Sequence, residues 1–174
     1  NALDEFVSCA RGNLSGLRVG IAGVGNIGTK VALRFAERGA SVHMWSRNFA
    51  KNVALASALS QILRGNGCLT AESSLLDAAR RADILLGCAP GIPCIDGRAV
   101  GVINTDAILI DVGNGTISAD GLKEAARRDL RTYCLTMLPG YEGFVTMWER
   151  TVERLETMGR RELTPDLAVV TPGI

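Results

Sequence analysis

Histidine is nearly absent from this sequence: His43 is the only one among 174 residues. It falls within the apolar run 42–45, where a histidine is more often part of a core or sheet edge than a metal ligand or a general base. No Ser–His–Asp set or Tyr-x-x-x-Lys pattern is visible, and the five cysteines form no CxxC pair. We therefore predict no metal site and reduced thiols, and the sequence assigns no catalytic residue.

The chain also lacks a charge imbalance and long apolar stretches. Its 19 Lys and Arg residues nearly balance 18 Asp and Glu residues, which leaves a net charge of +1. Without a basic cluster there is no electrostatic footprint for nucleic acid or for an anionic membrane surface. No apolar run approaches the roughly 18–20 residues that span a bilayer. Because no signal segment is visible either, we predict a cytoplasmic protein that binds neither nucleic acid nor membrane.

A glycine-rich turn stands between an apolar run and a helical pattern near the start of the chain. Residues 19–22 are largely apolar, GVGNIG occupies residues 23–28, and apolar residues recur at helical spacing from residue 27 to residue 35. In such a turn the first glycine permits the sharp bend, the second admits a pyrophosphate and the third lets helix and strand pack closely. The free N–H groups of the helix would bind the pyrophosphate. This context predicts dinucleotide binding by Gly23, Gly25, Asn26, Ile27 and Gly28.

Short apolar runs alternate with helical patterns along the chain, as expected for a parallel sheet covered on both faces. The predicted strands are 19–22, 42–45, 68–69, 84–87, 107–112 and 132–135, and predicted helices include 3–10, 74–81, 118–128 and 144–158. The pattern predicts an α/β fold, a three-layer, doubly wound parallel sheet (Rossmann fold) of about six or seven strands in the order 3-2-1-4-5-6. We interpret residues 1–174 as one dinucleotide-binding domain, and expect a fragment of a longer protein whose substrate domain is absent.

Ligands of an open α/β sheet bind outside the carboxyl ends of the strands, near the point where the strand order reverses. Four predicted loops end there, and all are rich in glycine or small residues: 23–28, 46–48, 88–92 and 113–115. Their clustering at one edge predicts a backbone cradle for a cofactor. The cofactor-binding candidates outside the glycine turn are Ser46, Arg47, Asn48, Cys88, Ala89, Pro90, Asp111 and Gly113.

The segment after the second predicted strand discriminates between the two nicotinamide cofactors. An NAD site usually places Asp or Glu there, about 20 residues after the turn, to bind the ribose 2′-hydroxyl. This chain has Ser46, Arg47 and Asn48 instead. Arg47 could pair with a 2′-phosphate or stack on the adenine, and its two neighbours could donate to the phosphate. The sequence therefore favours NADP, with NAD as the alternative if Arg47 is only a solvated loop residue.

Several other positions have two interpretations. Asp111 could orient a group on the nicotinamide side of the cofactor, or it could cap the turn that follows its strand. Residues 139–143 (PGYEG) could form a loop beside the cofactor or substrate, or a plain strand-to-helix turn. Lys30 and Lys51 are interpreted as solvated helix residues.

The chain resembles the cofactor domains of NAD(P)-dependent dehydrogenases at residues 14–17 (LSGL) leading into GVGNIG, and at residues 82–85 (ADIL). Residues 107–125 (AILIDVGNGTISADGLKEA) are similar to the D-2-hydroxyacid dehydrogenases. The catalytic arginine of that family would fall at Asn114, and its later histidine has no counterpart here. The resemblance therefore implies a cofactor domain without identifying a substrate.

Two other families are similar to shorter parts of the chain. Adenosylhomocysteinase resembles it at the glycine turn, the loop 88–92 and residues 110–113, although its NAD-selecting acid is absent here. Methylenetetrahydrofolate dehydrogenases resemble it at Ser46-Arg47, at residues 110–113 and loosely at residues 138–153, although their glycine pattern differs and their catalytic lysine lies in another domain. In all three families a second domain closes the cofactor cleft.

These observations predict the NAD(P)-binding domain of an oxidoreductase that transfers a hydride between a nicotinamide cofactor and a small-molecule substrate. The alternatives are a regulatory module that senses NAD(P) without catalysis, and the cofactor domain of an adenosylhomocysteinase-like enzyme. The expected partners are the dinucleotide and the substrate, and a homodimer is compatible with them.

Overall fold

The computed structural model describes residues 2–135, 138–157, 161–164 and 167–169. Its contacts divide the chain into two compact units, residues 1–135 and residues 136–174. The single dinucleotide-binding domain over residues 1–174 stays a prediction. The first unit contains the glycine-rich turn and every loop predicted to bind the cofactor. The second contains one long helix and a two-stranded antiparallel sheet.

Strands and helices alternate through the first unit. Its strands are β1 (Arg18–Ala22), β2 (Ser41–Trp45), β3 (Cys68–Glu72), β4 (Ile84–Gly87), β5 (Ile108–Asp111) and β6 (Arg131–Cys134). Its helices are α1 (Ala2–Arg11), α2 (Asn26–Glu37), α3 (Phe49–Ile62), α4 (Leu75–Ala79), α5 (Gly97–Gly101) and α6 (Ala119–Arg127). The second unit has α7 (Leu138–Thr157), β7 (Arg161–Thr164) and β8 (Leu167–Val169).

The six strands of the first unit form one parallel sheet in the order β3-β2-β1-β4-β5-β6. This is the predicted order, and it confirms the doubly wound α/β fold. The order reverses between β1 and β4, so the cofactor crevice of such a fold lies beyond their carboxyl ends. The segment 167–169 pairs antiparallel with β7 in the separate small sheet, so the large sheet has six strands.

The core lies in two layers, one on each face of the large sheet. Alternate strand residues such as Ile21, Met44 and Ile110 pack with residues of α1, α2 and α3 on one face. Leu85 and Leu109 face the other way and pack with residues of α5 and α6. Strands buried on both faces read as continuous apolar runs, which is why β4 and β5 could be predicted from sequence.

Several predicted features differ from the structure. The helix predicted over residues 74–81 is shorter: Ser74 caps α4 through a hydrogen bond from Asp77 N, and Arg81 has a φ of 54°, outside the helical range. The short helix α5, which Asp96 caps, was not predicted. Within α6, Glu124 pairs with Arg127 at 2.7 Å.

Residues 139–143 form part of α7, so the predicted loop or turn conformation of PGYEG is wrong, whereas a place beside a cofactor or substrate stays a prediction. Pro139 fits the first turn of this helix because backbone N–H groups in a first turn have no acceptor within the helix. The N–H that proline lacks is therefore not missed. Among the described helices, none is long and apolar enough to cross a membrane.

Candidate functional site

The glycine turn after β1 is closely packed at its first and third glycines. Gly23 has a φ of 99°, which favours glycine, and its N–H donates to Trp45 O at 2.9 Å. A β-carbon on Gly28 would lie 2.1 Å from Gly23 O, so any larger residue would push the helix off the turn. The turn therefore has the bend and the close helix packing that the sequence predicts for these two positions.

Gly25 differs from its two neighbours because the space beside it is open. A β-carbon at Gly25 would meet no atom within 4 Å. The residue is the N-cap of α2 and supplies no side-chain cap, so the first N–H groups of this helix have no capping side chain. Open space in front of a helix N-terminus is the arrangement that accommodates a phosphate.

The turn opens into a cavity of about 550 Å³ at the carboxyl ends of β1, β2 and β4. Eight of the residues predicted from sequence line this cavity: Gly23, Gly25, Ser46, Arg47, Asn48, Cys88, Ala89 and Pro90. Trp45, Lys51, Asn52, Leu55 and Cys94 also line it and were not predicted to do so. The structure thus brings together residues from three separate loops and from the first two turns of α3.

Five predicted residues do not line the cavity: Asn26, Ile27, Gly28, Asp111 and Gly113. Gly28 and Gly113 are packing positions, since a β-carbon on Gly113 would lie 2.1 Å from Ala89 O. The Ile27 side chain is 48% exposed. These residues support the walls or flank the opening, and their proposed contacts with a cofactor stay predictions.

Asp111 caps the turn after β5, which was one of its two predicted interpretations. Its Oδ2 accepts hydrogen bonds from Gly115 N at 2.8 Å and from Thr116 N at 3.0 Å. Thr116 Oγ1 in turn donates to Ala89 O at 2.9 Å. The side chain is 7% exposed, and its Oδ1 has no hydrogen-bond partner among the described residues. Asp111 therefore braces the loop after β5 against the loop after β4.

The two cavity cysteines are poor nucleophiles. Burial, with a smaller contribution from the Asp111 carboxylate, raises the pKa of the Cys88 thiol to about 12. Burial also raises the pKa of Cys94, while the nearby Arg47 guanidinium acts in the opposite direction. Both cysteines are thus neutral thiols near pH 7, and they form a weakly polar part of the cavity wall.

The β2–α3 segment contributes the polar side chains of the cavity. Asn48 Oδ1 accepts from Lys51 N at 3.0 Å and so caps α3, and the Ser46 hydroxyl donates to Asn48 O at 3.1 Å. The Ser46 bond occupies the hydroxyl that the sequence assigned to a phosphate, whereas the Asn48 bond uses its acceptor oxygen and not its donor nitrogen Nδ2. The exposed Arg47 and Lys51 remain as two cations at the N-terminus of α3.

A metal centre is not indicated by the geometry. Within the part of the chain that the structure describes, no group of three or more His, Cys, Asp or Glu side chains could hold a metal ion. His43 lies away from the cavity, buried in β2, where its Nδ1 donates to Glu72 Oε1 at 2.6 Å. The expectation that this histidine belongs to the core is confirmed.

Residues 7–129 match the family model of the NAD binding domain of D-isomer specific 2-hydroxyacid dehydrogenases. No curated protein sequence gives a significant match. Of the three resemblances found in the sequence, the family model supports the one to D-2-hydroxyacid dehydrogenases.

Solved structures give the same fold at low identity. A dipicolinate synthase from Bacillus halodurans is 16% identical, with a TM-score of 0.63 over 80% of this chain and 45% of its own. D-mandelate dehydrogenase from Rhodotorula graminis is 18% identical, with a TM-score of 0.57 over 99% of this chain and 57% of its own. D-lactate dehydrogenase from Lactobacillus jensenii, solved with NAD+, is 20% identical, with a TM-score of 0.52 over 71% of this chain and 36% of its own. The chain thus spans less than two thirds of the length of each.

Proposed function

Since the chain belongs to the NAD-binding domain family of the D-isomer specific 2-hydroxyacid dehydrogenases, we propose that it binds and orients a nicotinamide dinucleotide within a larger oxidoreductase. When bound, the nicotinamide ring supplies the hydride acceptor or donor. The residues of this chain supply the binding, the orientation and the polarity of the cavity. None of the comparisons supports the alternative of a non-catalytic regulatory module.

The observation that carries this proposal is the open space at Gly25 in front of α2. A pyrophosphate placed there would accept from the first N–H groups of the helix, and Gly23 and Gly28 keep the turn tight enough to present them. The adenosine half would follow the cavity past Trp45 and Leu55 towards the N-terminus of α3. The nicotinamide half would face the loops 88–92 and 113–115.

We further propose a preference for NADP. The segment 46–48 contains no carboxylate, whereas Arg47 and Lys51 place two positive charges at the N-terminus of α3. A 2′-phosphate would gain charge-assisted hydrogen bonds from these side chains. It would also be favoured by the positive end of the helix dipole.

Calorimetric titration of this chain with NADP and, separately, with NAD tests both the dinucleotide site and the preference for NADP. We expect both dinucleotides to bind and NADP to bind more tightly. Tighter binding of NAD would contradict the NADP preference but leave the dinucleotide site intact. Absence of binding for both would contradict the site itself.

The reacting groups of the whole enzyme are proposed to lie in a second domain that binds a small-molecule substrate. Two features support this: Asn114 stands where the family has its catalytic arginine, and the similar solved structures are much longer than this chain. We propose a cytoplasmic location, in keeping with five unpaired cysteines. A homodimer is the proposed assembly, which gel filtration with light scattering would test.

A further inference from the structure

Asn52 is a completely buried amide in the wall of the cavity, with 0% of its surface exposed. It lies in the first turns of α3, and its Nδ2 donates to Met44 O in β2 at 2.7 Å. A carbonyl oxygen can only accept, so the nitrogen must face Met44 and the orientation of the amide is fixed. The strand therefore holds Asn52 in one position beside the cavity.

The other end of this amide is unsatisfied. Asn52 Oδ1 has no hydrogen-bond partner among the described residues. A buried acceptor without a donor is costly, and such atoms in folded proteins usually signal a missing ligand or water. Because Asn52 lines the cavity, a donor that enters the cavity can complete it.

The position of Asn52 indicates which donor this is. In dinucleotide-binding sheets, the end of the second strand lies beside the adenosine ribose, and a carboxylate there accepts from its hydroxyl groups. Here the segment 46–48 has no carboxylate, and Asn52 reaches back to the end of the same strand. An amide oxygen accepts as a carboxylate oxygen does, but it carries no charge and does not repel a 2′-phosphate.

We infer that Asn52 Oδ1 accepts a hydrogen bond from the 3′-hydroxyl of the adenosine ribose, and that the uncharged amide tolerates an adjacent 2′-phosphate, which an acid would repel. The 3′-hydroxyl is the donor that this ribose retains when its 2′-position carries a phosphate. Arg47 and Lys51 then bind the phosphate while Asn52 binds the adjacent hydroxyl. The inference rests on the proposed dinucleotide function, but it holds for NAD as well as NADP.

The first experiment removes the hydroxyl from the ligand rather than the amide from the protein. Calorimetry compares NADP and NAD, each with its analogue that lacks the 3′-hydroxyl of the adenosine ribose, on the unaltered chain and on Asn52→Leu. We expect the unaltered chain to lose about three- to tenfold in affinity for each analogue. Asn52→Leu should bind parent and analogue equally. An equal loss in both proteins, or no loss in the unaltered chain, would overturn the inference.

If Asn52→Leu does not fold, the loss of affinity for each analogue on the unaltered chain still tests the inference, and Asn52→Asp is a second variant. Asn52→Asp keeps an acceptor oxygen, loses the donor to Met44 O and adds a negative charge, so the ratio of NADP to NAD affinity should fall by about tenfold or more. Asn13→Asp is the matched control, because Asn13 accepts from Ser15 N in a turn at the opposite edge of the sheet. It should leave the ratio unchanged. An unchanged ratio in Asn52→Asp would overturn the inference. The proposed NADP preference is tested separately, by the affinities of the unaltered chain for NADP and NAD, so the two failures can be told apart.

Discussion

Two polar regions lie along β2, and they differ in how their hydrogen-bonding groups are satisfied. Under α4, His43 Nδ1 donates to Glu72 Oε1, and its Nε2 accepts from Ser41 and from Arg18. Arg18 also donates to Arg80 O at 2.6 Å and to Asp77 O at 3.1 Å. This network, which we call the His43 cluster, joins β1, β2 and β3 to α4 and leaves the ring nitrogens of His43 fully bonded.

The hydrogen bonding of polar side chains at the cavity edge of the sheet is less complete than in the His43 cluster. Among the described residues, three buried side-chain polar atoms have no partner, and two of them, Asn52 Oδ1 and Asp111 Oδ1, belong to the segments beside the cofactor edge. Buried groups that are satisfied within the protein stabilise the fold, whereas an unsatisfied group that lines a cavity, as Asn52 does, is open to a ligand. Changes at the cavity edge should therefore alter binding, and changes in the His43 cluster should alter stability.

The largest effect is expected from Gly25→Val. Its side chain would enter the open space in front of α2, where the pyrophosphate is proposed to lie, and should reduce the affinity for NADP and NAD by about 100-fold or more. The melting temperature should change little, because a β-carbon at this position meets no protein atom within 4 Å. Calorimetry and thermal unfolding measure the two quantities.

Gly101→Val is the matched control for this substitution. A β-carbon at Gly101 would also meet nothing within 4 Å, but α5 lies outside the cavity lining. It should leave dinucleotide affinity unchanged. If Gly25→Val retained normal affinity, the turn would be a structural feature without a role in binding.

Arg47→Ala should weaken NADP binding by about 10- to 100-fold, the contribution of a charge-assisted contact to a phosphate. NAD affinity should change little, because NAD lacks the 2′-phosphate. Arg64→Ala removes the same charge beyond the other end of α3 and should alter neither affinity. Equal losses for both cofactors with Arg47→Ala would contradict its assignment to the 2′-phosphate.

Glu72→Gln should act on the fold rather than on the cavity. Its carboxylate is the acceptor for His43 Nδ1, and weakening that buried bond should cost about 1–3 kcal/mol in the free energy of unfolding. The affinity of the folded variant for the dinucleotide should not change. Glu124→Gln, which disrupts the exposed pair with Arg127, should cost far less. A loss of affinity without a loss of stability in Glu72→Gln would reverse the comparison of the two regions.

The smallest effect is a pH dependence of stability from His43. Burial, partly offset by its hydrogen bond to Glu72, lowers the pKa of this histidine below its usual 6.5, and the Arg18 guanidinium lowers it further. The folded protein therefore binds the proton less readily than the unfolded chain, so the stability present above pH 6.5 should decline as the pH falls below that value. Melting curves between pH 8 and pH 5 should show a smaller decline in His43→Gln. An identical decline in both proteins would exclude His43 as its source.

The parts of the molecule that depend on local pattern were predicted well from the sequence. The alternation of apolar runs and helices leads directly to the strand order, and the GVGNIG turn has the packing expected at Gly23 and Gly28. Arg47 lines the cavity, and its contact with a cofactor stays a prediction. These features depend on residues that are close in sequence.

The parts that depend on the rotation of one element against another were missed. Lys51 is an exposed helix residue, as predicted, but its place on the cavity wall was not predicted. Asn52 received no role, because the face of α3 that turns towards β2 is set by the Asn48 cap and by packing. Asn48 at the N-cap was the available signal, since it fixes where the first turn begins. The start of α7 was missed because Pro139 and two glycines suggest a loop more strongly than a helix.

The bracing of the β4 and β5 loops has a consequence for the kinetics of binding. Asp111 and Thr116 hold these loops together, and Gly91 N donates to Gly113 O at 3.0 Å. A rim tied in this way is in place before the dinucleotide arrives, so little chain entropy is lost on binding. Association should then proceed without a slow rearrangement of this rim, and differences in affinity among variants should appear in the dissociation rate.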